Sequence, residues 1–568
     1  MAGSRNITES EELRLERKRV GAGAWLRNPA AWPIHPLLFA AASVSALYVT
    51  NLRGMHFDDA VPALAAMVGA AFVLLLAFGA AFRGIGPRAA VAASIILTGV
   101  IYGPDLFGRL DRLLGGALPA SAELPLIAGI AAILVLIAAR TRFDLTIPNA
   151  LLNGIGLVLL LTPAWAALSY AWETGRLERS GAERPDQPAM TWGGAAAAPG
   201  AATAPDIHYF IFDRYGSEHV LARRFGVDNA PFLQSLRDRG FYVASDSHSN
   251  YPKTAPSLAS TFHMDYLDFL VDDPLARRNE WHPLYDMLEE HRVGAVLKAH
   301  GYRIVQVGAW WGPTQSNSAA DENHSFGFRE FTWLYLRRTA LPELASAITP
   351  GSAPARMAAW DNGQCRRVPL QFEQVKATSR RPEPTFTFVH VLLPHEPYVF
   401  DAEGRCLSPR EVRARGKKAG YVEQLRYANR LIEQTLDVLL SQPEKPIIIL
   451  QADEGPYPER YRASNRSWKL ATPAEHDTKT GILNAFYFPD GDYEALYPDI
   501  TSVNTFRLLF DKYFGTSYGP LPDRVFAFPD YSRIYDFFEV TDQVRRAGTP
   551  SLIRHLNELS SENQVRAR

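Results

Sequence analysis

The residues of this chain that could do chemistry are polar side chains that stand directly after apolar runs. Asp213 follows the run 207–212, His395 follows 385–393, and Asp453 with Glu454 follows 446–451. A single acid in such a place is commonly a helix cap or part of a surface ion pair. A histidine there can also protonate a departing oxygen or deprotonate an incoming one. Three such clusters in one chain favour a shared site over three separate structural roles.

The elements that must position these clusters alternate between strands and helices. We predict strands at 207–212, 302–307, 385–393, 446–451 and 482–488, and helices at 230–239, 284–300 and 421–440. Continuous apolar strands separated by helices indicate a mostly parallel sheet that is covered on both faces. Ligands bind beyond the carboxyl ends of such strands. The three clusters are therefore expected to converge at one edge of the sheet.

A further candidate is the segment 251–258, a loop that leads into a helical pattern. A hydroxyl at the start of a helix lies near unpaired backbone N–H groups and the positive end of the helix dipole. This environment suits an anionic group of a substrate. Thr254 and Ser257 are equally good candidates for a plain helix cap, so that interpretation stays open.

The first third of the chain is apolar in five stretches, at 36–52, 61–82, 89–102, 124–139 and 150–172. A membrane span needs about 20 apolar residues, so the third and fourth stretches are short. We predict five spans, with one re-entrant stretch as the alternative. Arginines lie before the first span and in the loops that hold Arg83, Arg88, Arg140 and Arg142. These loops are expected to face the cytoplasm, which places the later residues outside it.

This division gives a cytoplasmic segment at 1–34, a five-helix transmembrane region at 35–172 and a Gly, Ala and Pro rich linker at 173–205. An α/β extracytoplasmic domain follows at 206–515, with a C-terminal extension at 516–568 to which we assign no chemistry. Residues 106–114 are expected to form a short interfacial helix or an ordinary loop.

Composition excludes other classes of protein. The 568 residues are 47% hydrophobic and 21% charged, with a net charge of −1, so neither a disordered chain nor a nucleic-acid-binding domain is expected. Cys365 and Cys406 are the only cysteines, too few for a thiolate metal cluster. Both fall on the predicted outer side, where they are free to form a disulfide.

The order of these segments resembles the sulfatase-type branch of the alkaline phosphatase superfamily. The resemblance rests on Asp213, on the segment 254–257 (TAPS), on 391–398 (VLLPHEPY) and on 447–455 (IIILQADEG). The segment 229–233 (NAPFL) resembles the helix that follows the first metal ligand of that branch. Together with the five-span anchor, the chain resembles lipoteichoic acid synthases and phosphoethanolamine transferases.

The resemblance implies roles for individual residues. Thr254 takes the place of the nucleophile, Asp213, Asp453 and Glu454 become metal ligands together with the Thr254 oxygen, and His395 contacts the substrate or the leaving group. Two positions depart from the family pattern: Glu454 stands where a histidine is usual, and Leu258 stands where an arginine is usual. Glu454 therefore puts the identity of the metal, or its presence, in doubt.

A threonine nucleophile narrows the chemistry. Sulfatases of this branch use a formylglycine made from Cys or Ser, and the methyl group on the threonine Cβ prevents that conversion. Sulfatase activity is therefore not expected, whereas a threonine alkoxide suits phosphoryl transfer through a phosphothreonine. An oxygen-only ligand set favours Mn²⁺ or Mg²⁺ over Zn²⁺ or Ca²⁺.

Four other residues are candidates for binding the substrate. Lys253 could attract a phosphate as a point charge, or be a solvated lysine. Trp311 lies in a Trp-Trp-Gly-Pro segment after a predicted strand and could line a pocket or pack in the core. His476 is a weaker candidate, as is Lys479.

The expected function is a membrane phosphotransferase that moves a phosphorylated head group from a lipid donor to a glycan or lipid acceptor of the cell envelope, outside the cytoplasm of a bacterium. One alternative is a phosphodiester or phosphomonoester hydrolase that uses the same residues. Another is a non-catalytic membrane protein that binds a glycan or a partner through a degenerate site.

Overall fold

The computed structural model describes residues 29–174, 205–348, 361–378, 383–461 and 466–547. The chain divides into two compact units. A helical unit comprises residues 1–186 and 329–359, and a second unit comprises residues 187–328 and 360–568. We name the second unit the catalytic unit because it contains every catalytic, metal-binding and substrate-binding residue predicted from the sequence. The chain therefore passes from the helical unit to the catalytic unit, back again, and once more to the catalytic unit.

The helices, besides short 3₁₀ turns, are α1 His35–Val49, α2 Phe57–Ala81, α3 Pro87–Leu113, α4 Glu123–Arg140, α5 Thr146–Glu173, α6 Glu218–Phe225, α7 Ala230–Asp238, α8 Thr254–His263, α9 His282–Glu289, α10 Arg292–Ala299, α11 Gly312–Gln315, α12 Glu330–Leu336, α13 Leu341–Ile348, α14 Gln364–Thr378, α15 Pro409–Leu439, α16 Pro473–Thr480 and α17 Thr505–Tyr513. The strands are β1 Ile207–Phe212, β2 Tyr242–Val243, β3 Arg303–Val307, β4 Glu322–His324, β5 Thr385–Val391, β6 Ile447–Gln451, β7 Asn484–Tyr487, β8 Phe526–Ala527 and β9 Phe538–Glu539.

The apolar helices of the helical unit differ in length from the prediction. Four helices in the described part of the chain, α2 to α5, are long and apolar enough to cross a membrane, whereas α1 has only 15 residues. The third and fourth apolar stretches are short in the sequence, but they lie in the longer helices α3 and α4, which have 27 and 18 residues. The prediction of a short interfacial helix or a loop at 106–114 is wrong in both forms, because α3 continues through Pro104 to Leu113 without a break.

The five helices α1 to α5 alternate in direction. At one end of the unit the start of α1 meets α3 and α5: His35 Nδ1 lies 2.6 Å from Ser94 Oγ, and the His35 backbone N–H donates to Asn153 Oδ1 at 2.9 Å. The Arg88 guanidinium at the start of α3 donates to the Thr141 carbonyl after α4. The starts of α1, α3 and α5 therefore share one end with the end of α4.

Helices α12 and α13 belong to the helical unit although they lie between segments of the catalytic unit in the sequence. Phe331 and Tyr335 of α12 are buried in one cluster with side chains of α1, α2 and α3. The Tyr335 hydroxyl lies 2.7 Å from Ser43 Oγ of α1. Arg329, just before α12, forms an ion pair at 3.5 Å with Asp59 at the start of α2. This segment is thus fixed among the apolar helices.

The catalytic unit is built on a seven-stranded sheet with the order β2-β7-β6-β1-β5-β3-β4. Strands β6, β1, β5, β3 and β4 run parallel, and β7 runs antiparallel to both of its neighbours. All six side chains of β1 are buried, because apolar clusters cover both faces of the sheet. The mostly parallel sheet is confirmed, and the predicted final strand is its antiparallel member.

The helices of the catalytic unit follow local signals. Ser408 begins α15 with a reciprocal capping box to Glu411, and Thr472 begins α16 in the same way with Glu475. The predicted helix 284–300 is instead two helices, α9 and α10, with residues 290–291 between them. Cys365 and Cys406, for which the sequence left a disulfide open, form that disulfide in the structure.

Candidate active site

Three acidic or imidazole side chains meet at the carboxyl ends of the central strands. Strand β1 pairs with β5 on one side and with β6 on the other, so Asp213, His390 and Asp453 lie at the same edge of the sheet. The Asp213 backbone N–H donates to the Val391 carbonyl at 3.0 Å. One ligand atom of each of these three side chains lies within 4.8 Å of the others.

Each residue of this cluster has a buried side-chain atom with no hydrogen-bond partner among the described residues. These atoms are Asp213 Oδ1, Asp453 Oδ2 and His390 Nε2. His390 Nε2 lies 3.8 Å from the other Asp213 oxygen, Oδ2. The Thr314 hydroxyl pairs with His390 Nδ1 at 2.7 Å, so Nε2 is the atom that faces the carboxylates. Buried polar atoms without partners are costly, and a cation bound between them removes that cost. The three residues therefore fit a metal site.

The pKa shifts within the cluster also fit a metal site. Burial and the nearby Asp453 carboxylate raise the pKa of Asp213 well above its ordinary value, while Arg214 opposes the shift. Burial and Glu454 raise the pKa of Asp453 to about 7. Burial lowers the pKa of His390 to about 3, so this imidazole is neutral and free to act as a ligand. Two carboxylates forced together need a positive charge to ionise together.

Thr254 is the first residue of α8 and joins this cluster. Its hydroxyl lies beside the Asp453 carboxylate and lowers the pKa of that carboxylate, against the larger effect of burial. Lys253 is at the N-cap position of α8, and no side chain makes a capping hydrogen bond at the start of this helix. The plain helix cap that we considered for Thr254 or Ser257 is therefore not formed. The Ser257 hydroxyl is buried and has no hydrogen-bond partner among the described residues.

Glu454 has different partners from the other predicted ligands. Its Oε1 lies 2.7 Å from Lys479 Nζ and 3.1 Å from Arg214 Nε, and all three groups are buried or nearly so. Burial alone would raise the pKa of Glu454, but Lys479, Lys253 and Arg214 outweigh it and lower the pKa. Glu454 is thus an ionised carboxylate between the Arg214 guanidinium and Lys479, whose pKa burial lowers to about 7 while Glu454 opposes that shift. The structure places it beside the three-residue cluster, and His390 completes that cluster.

A cavity of about 250 Å³ opens onto these groups. Its wall contains Asp213 and Thr254, and also the three predicted residues Lys253, His395 and Trp311. Burial opposes the charge of Lys253, but Tyr457 and Glu454 raise its pKa. The ammonium is therefore charged, and its Nζ lies 5.0 Å from the ring centre of Tyr457. A phosphate in this cavity would meet Thr254, Lys253 and Arg214 together.

His395 lies in the cavity wall as a neutral imidazole. Burial, and then the charges of Arg214 and Lys253, lower its pKa well below the ordinary value. Its Nδ1 pairs with the Glu396 carbonyl oxygen, so Nδ1 carries the proton and Nε2 is the acceptor.

His476 does not line the cavity. It packs in α16 with its ring 6.0 Å from that of Trp468, and burial lowers its pKa to about 4. The structure therefore gives it packing contacts and no contact with the predicted site.

Sequence reasoning missed some residues of the site. His390 is the only ionisable residue in a strand that otherwise contains Thr, Phe and Val, and this was the signal in the sequence that could have identified it. Arg214 directly follows Asp213, yet nothing in the sequence shows its contact with Glu454. Tyr531 lines the cavity although the C-terminal extension was given no role.

A family model described as Sulfatase matches residues 205–508, more than half of the chain. The chain belongs to the sulfatase family. This family membership confirms the resemblance that the ordered motifs indicated, and the matched region contains every residue of the site described above except Tyr531. No curated protein matches the chain.

Solved structures similar to this sulfatase-family chain include three of different kinds. The C-terminal periplasmic domain of EcEptC from Escherichia coli, in complex with Zn, is 11% identical, with 58% of this chain and 90% of that chain covered and a TM-score of 0.38. The phosphonate monoester hydrolase of Agrobacterium radiobacter is 12% identical, with 57% and 80% covered and a TM-score of 0.37. The integral membrane lipooligosaccharide phosphoethanolamine transferase A from Neisseria meningitidis is 11% identical, with 86% and 89% covered and a TM-score of 0.34.

Proposed function

We propose that the protein is a membrane-bound, metal-dependent phosphotransferase that moves a phosphorylated head group from a lipid donor to an acceptor outside the cytoplasm. The observation that carries the proposal is the position of the Thr254 hydroxyl at the start of α8, beside the Asp453 carboxylate of the buried Asp213, His390 and Asp453 cluster. A hydroxyl held at a cation site and at a helix N-terminus is suited to attack an anionic phosphorus centre.

Asp213, His390 and Asp453 would hold the cation. Bound there, a divalent ion supplies positive charge that favours an ionised hydroxyl and neutralises phosphate oxygens. The preference for Mn²⁺ or Mg²⁺ rested on an oxygen-only ligand set. His390 adds a nitrogen ligand, which also suits Zn²⁺, so we propose Mn²⁺ or Zn²⁺.

The side chains of the cavity have separate roles in the two steps of the transfer. Lys253 and Arg214 bind the phosphate oxygens, and the Thr254 oxygen forms a bond to phosphorus as the bond to the lipid alcohol breaks. His395 Nε2, the unprotonated nitrogen of a neutral imidazole, accepts the proton of the Thr254 hydroxyl and gives it to the departing lipid oxygen. The head group is then held as a phosphothreonine. In the second step His395 Nε2 accepts the proton of the acceptor hydroxyl as that hydroxyl displaces Thr254, and it returns the proton to the Thr254 oxygen. A neutral His395 suits the role of base in this second step.

The arrangement of the helical unit supports an extracytoplasmic site. Arg88 and Arg140 lie at the end where α3 begins and α4 ends, which is the end predicted to face the cytoplasm. Arg329, which belongs to the chain after the linker, pairs with Asp59 at the start of α2. The start of α2 is at the opposite end. These contacts favour five crossings, with α1 as a short span, and a periplasmic or outer location for the catalytic unit.

The proposal is tested with purified full-length protein in detergent, labelled phospholipid and a panel of glycan acceptors. We expect transfer of the labelled head group to an acceptor, and Thr254→Ala to lower the rate by at least about 10³-fold. Ser257→Ala is the matched control, because it removes a hydroxyl of the same helix that has no described partner. Its rate should stay close to wild type.

Three results would contradict the proposal in different ways. Full turnover by Thr254→Ala would exclude the phosphothreonine. Release of the head group to water alone, with every acceptor, would make the protein a hydrolase. Absence of a bound divalent ion at any pH, together with absence of turnover, would leave only a binding function.

A further inference from the structure

The cavity at Thr254 has an aromatic wall that phosphoryl transfer alone does not require. Five aromatic side chains line it: Trp281, Tyr285, Trp310, Trp311 and Tyr531. They come from α9 and the residue before it, from the loop after β3 and from the C-terminal segment. The ring centres of Tyr285 and Trp311 are 5.7 Å apart, and those of Trp281 and Tyr285 are 6.2 Å apart. The rings therefore form a connected surface beside the phosphate-binding groups.

The charges in the cavity restrict what this surface can bind. Among the described residues of its wall, Arg214 and Lys253 are the cations, and Asp213 is the only carboxylate. Asp213 belongs to the cation cluster, so no carboxylate remains for an ammonium group of a substrate. Lys253 Nζ also lies 5.1 Å from the ring centre of Tyr531, so an ammonium of the protein already occupies an aromatic face.

Aromatic walls commonly serve two classes of head group. A quaternary ammonium binds in an aromatic cage through cation–π attraction. Here it would enter beside Lys253 and Arg214, and like charges would repel it. A sugar ring carries no charge and places its C–H faces on aromatic rings while its hydroxyls make hydrogen bonds. The Trp310 indole N–H is buried and has no acceptor among the described residues.

We propose that the cavity recognises a sugar phosphate, with the phosphate at Thr254, Lys253 and Arg214 and the sugar ring on the aromatic wall. This inference rests on the proposed phosphotransfer and narrows its substrate class. The sugar is either the transferred head group or the acceptor, since both approach the same phosphorus atom.

The test compares small phosphate ligands that differ only in the group attached to phosphate. Purified full-length protein with bound Mn²⁺ is titrated by calorimetry with glucose 1-phosphate, glycerol 3-phosphate, O-phosphoethanolamine, phosphocholine and inorganic phosphate. We expect glucose 1-phosphate to bind at least about 10-fold more tightly than each of the other four, which is the scale of one or two aromatic contacts.

Variants of the aromatic wall distinguish binding of the sugar from binding of the phosphate. Trp311→Ala should lower the affinity for glucose 1-phosphate to within about 3-fold of inorganic phosphate, and Trp311→Phe should retain part of the preference. Phe269→Ala is the matched control, because Phe269 is an exposed aromatic residue of the catalytic unit that does not line this cavity. Trp281→Ala repeats the test if Trp311→Ala does not fold.

The outcomes distinguish this inference from the proposed function. Tightest binding of phosphocholine, or equal binding of all five ligands, would overturn the sugar-phosphate assignment and leave phosphotransfer intact. Failure of inorganic phosphate itself to bind would overturn the phosphotransfer function and this inference with it. Thr254→Ala should keep the preference for glucose 1-phosphate, since Thr254 does not belong to the aromatic wall.

Discussion

Replacing Glu454 by glutamine tests whether this residue is a counter-ion or a metal ligand. The substitution keeps the shape of the side chain and removes its negative charge. Glu454 Oε1 lies 2.7 Å from Lys479 Nζ and 3.1 Å from Arg214 Nε. Lys479 and Glu454 are both almost completely buried. Removing one partner of a buried pair leaves an uncompensated charge and costs about 3–5 kcal/mol of unfolding free energy.

The measurement is thermal unfolding of the full-length protein in detergent and chelator. A loss of that size lowers the midpoint by roughly 5–15 °C. The double variant Glu454→Gln with Lys479→Met removes both charges and should recover at least half of the loss, because the two sites are coupled. Glu475→Gln is the control: it weakens a pair with Arg460, whose side chain is half exposed, and should cost at most about 1 kcal/mol.

The opposite result would identify a ligand. If Glu454 faced the cation together with Asp213 and Asp453, its replacement in metal-free protein would relieve repulsion among carboxylates and raise the midpoint. Added Mn²⁺ or Zn²⁺ would then no longer stabilise the variant. A higher midpoint combined with lost metal stabilisation would refute the counter-ion assignment.

Three further predictions concern other parts of the molecule. His390→Asn should weaken retention of Mn²⁺ or Zn²⁺ at least about 10-fold by calorimetry, whereas His300→Asn, outside the cluster, should not. Asp477→Asn should cost several kcal/mol at pH 7, because hydrogen bonds from His219 and His248 outweigh burial and lower the pKa of Asp477. Because the pKa of Asp477 is lowered in the folded protein, its carboxylate stabilises the fold fully above the ordinary pKa near 4 and progressively less below it. Urea unfolding should therefore show that the difference in unfolding free energy between wild type and Asp477→Asn shrinks below pH 4. Tyr335→Phe should cost about 1 kcal/mol in detergent by losing the contact with Ser43, and an unchanged midpoint would contradict it.

Much of the sheet could be predicted from the sequence because its central strands are continuous apolar runs. Strand β1 was predicted with its observed bounds, and β3, β5 and β6 differ by one or two residues. The direction of β7 could not be predicted, because a buried strand has the same composition whether it runs parallel or antiparallel. The length of α1 was also missed, because an apolar run continues past the residue at which the helix ends.

The candidate site was predictable where it depends on strand ends. Asp213, His395 and Asp453 could be expected at one edge once a parallel sheet was predicted, and Thr254 was placed at a helix start by the loop before it. The partners of Glu454 could not be predicted, since Lys479 reaches it from α16 through tertiary packing. The same holds for His390, whose role depends on the pairing of β5 with β1.

The return of the chain to the apolar helices at residues 329–348 has a consequence for limited proteolysis. A protease that cuts once within 175–204 leaves the fragment that carries Thr254 with the membrane fraction, because Phe331 and Tyr335 remain buried among α1, α2 and α3. Release of that fragment into the soluble fraction requires two further cuts, one between Phe328 and Phe331 and one on the C-terminal side of Ile348, because β1 of the fragment is paired with β5 and β6 of the later segment.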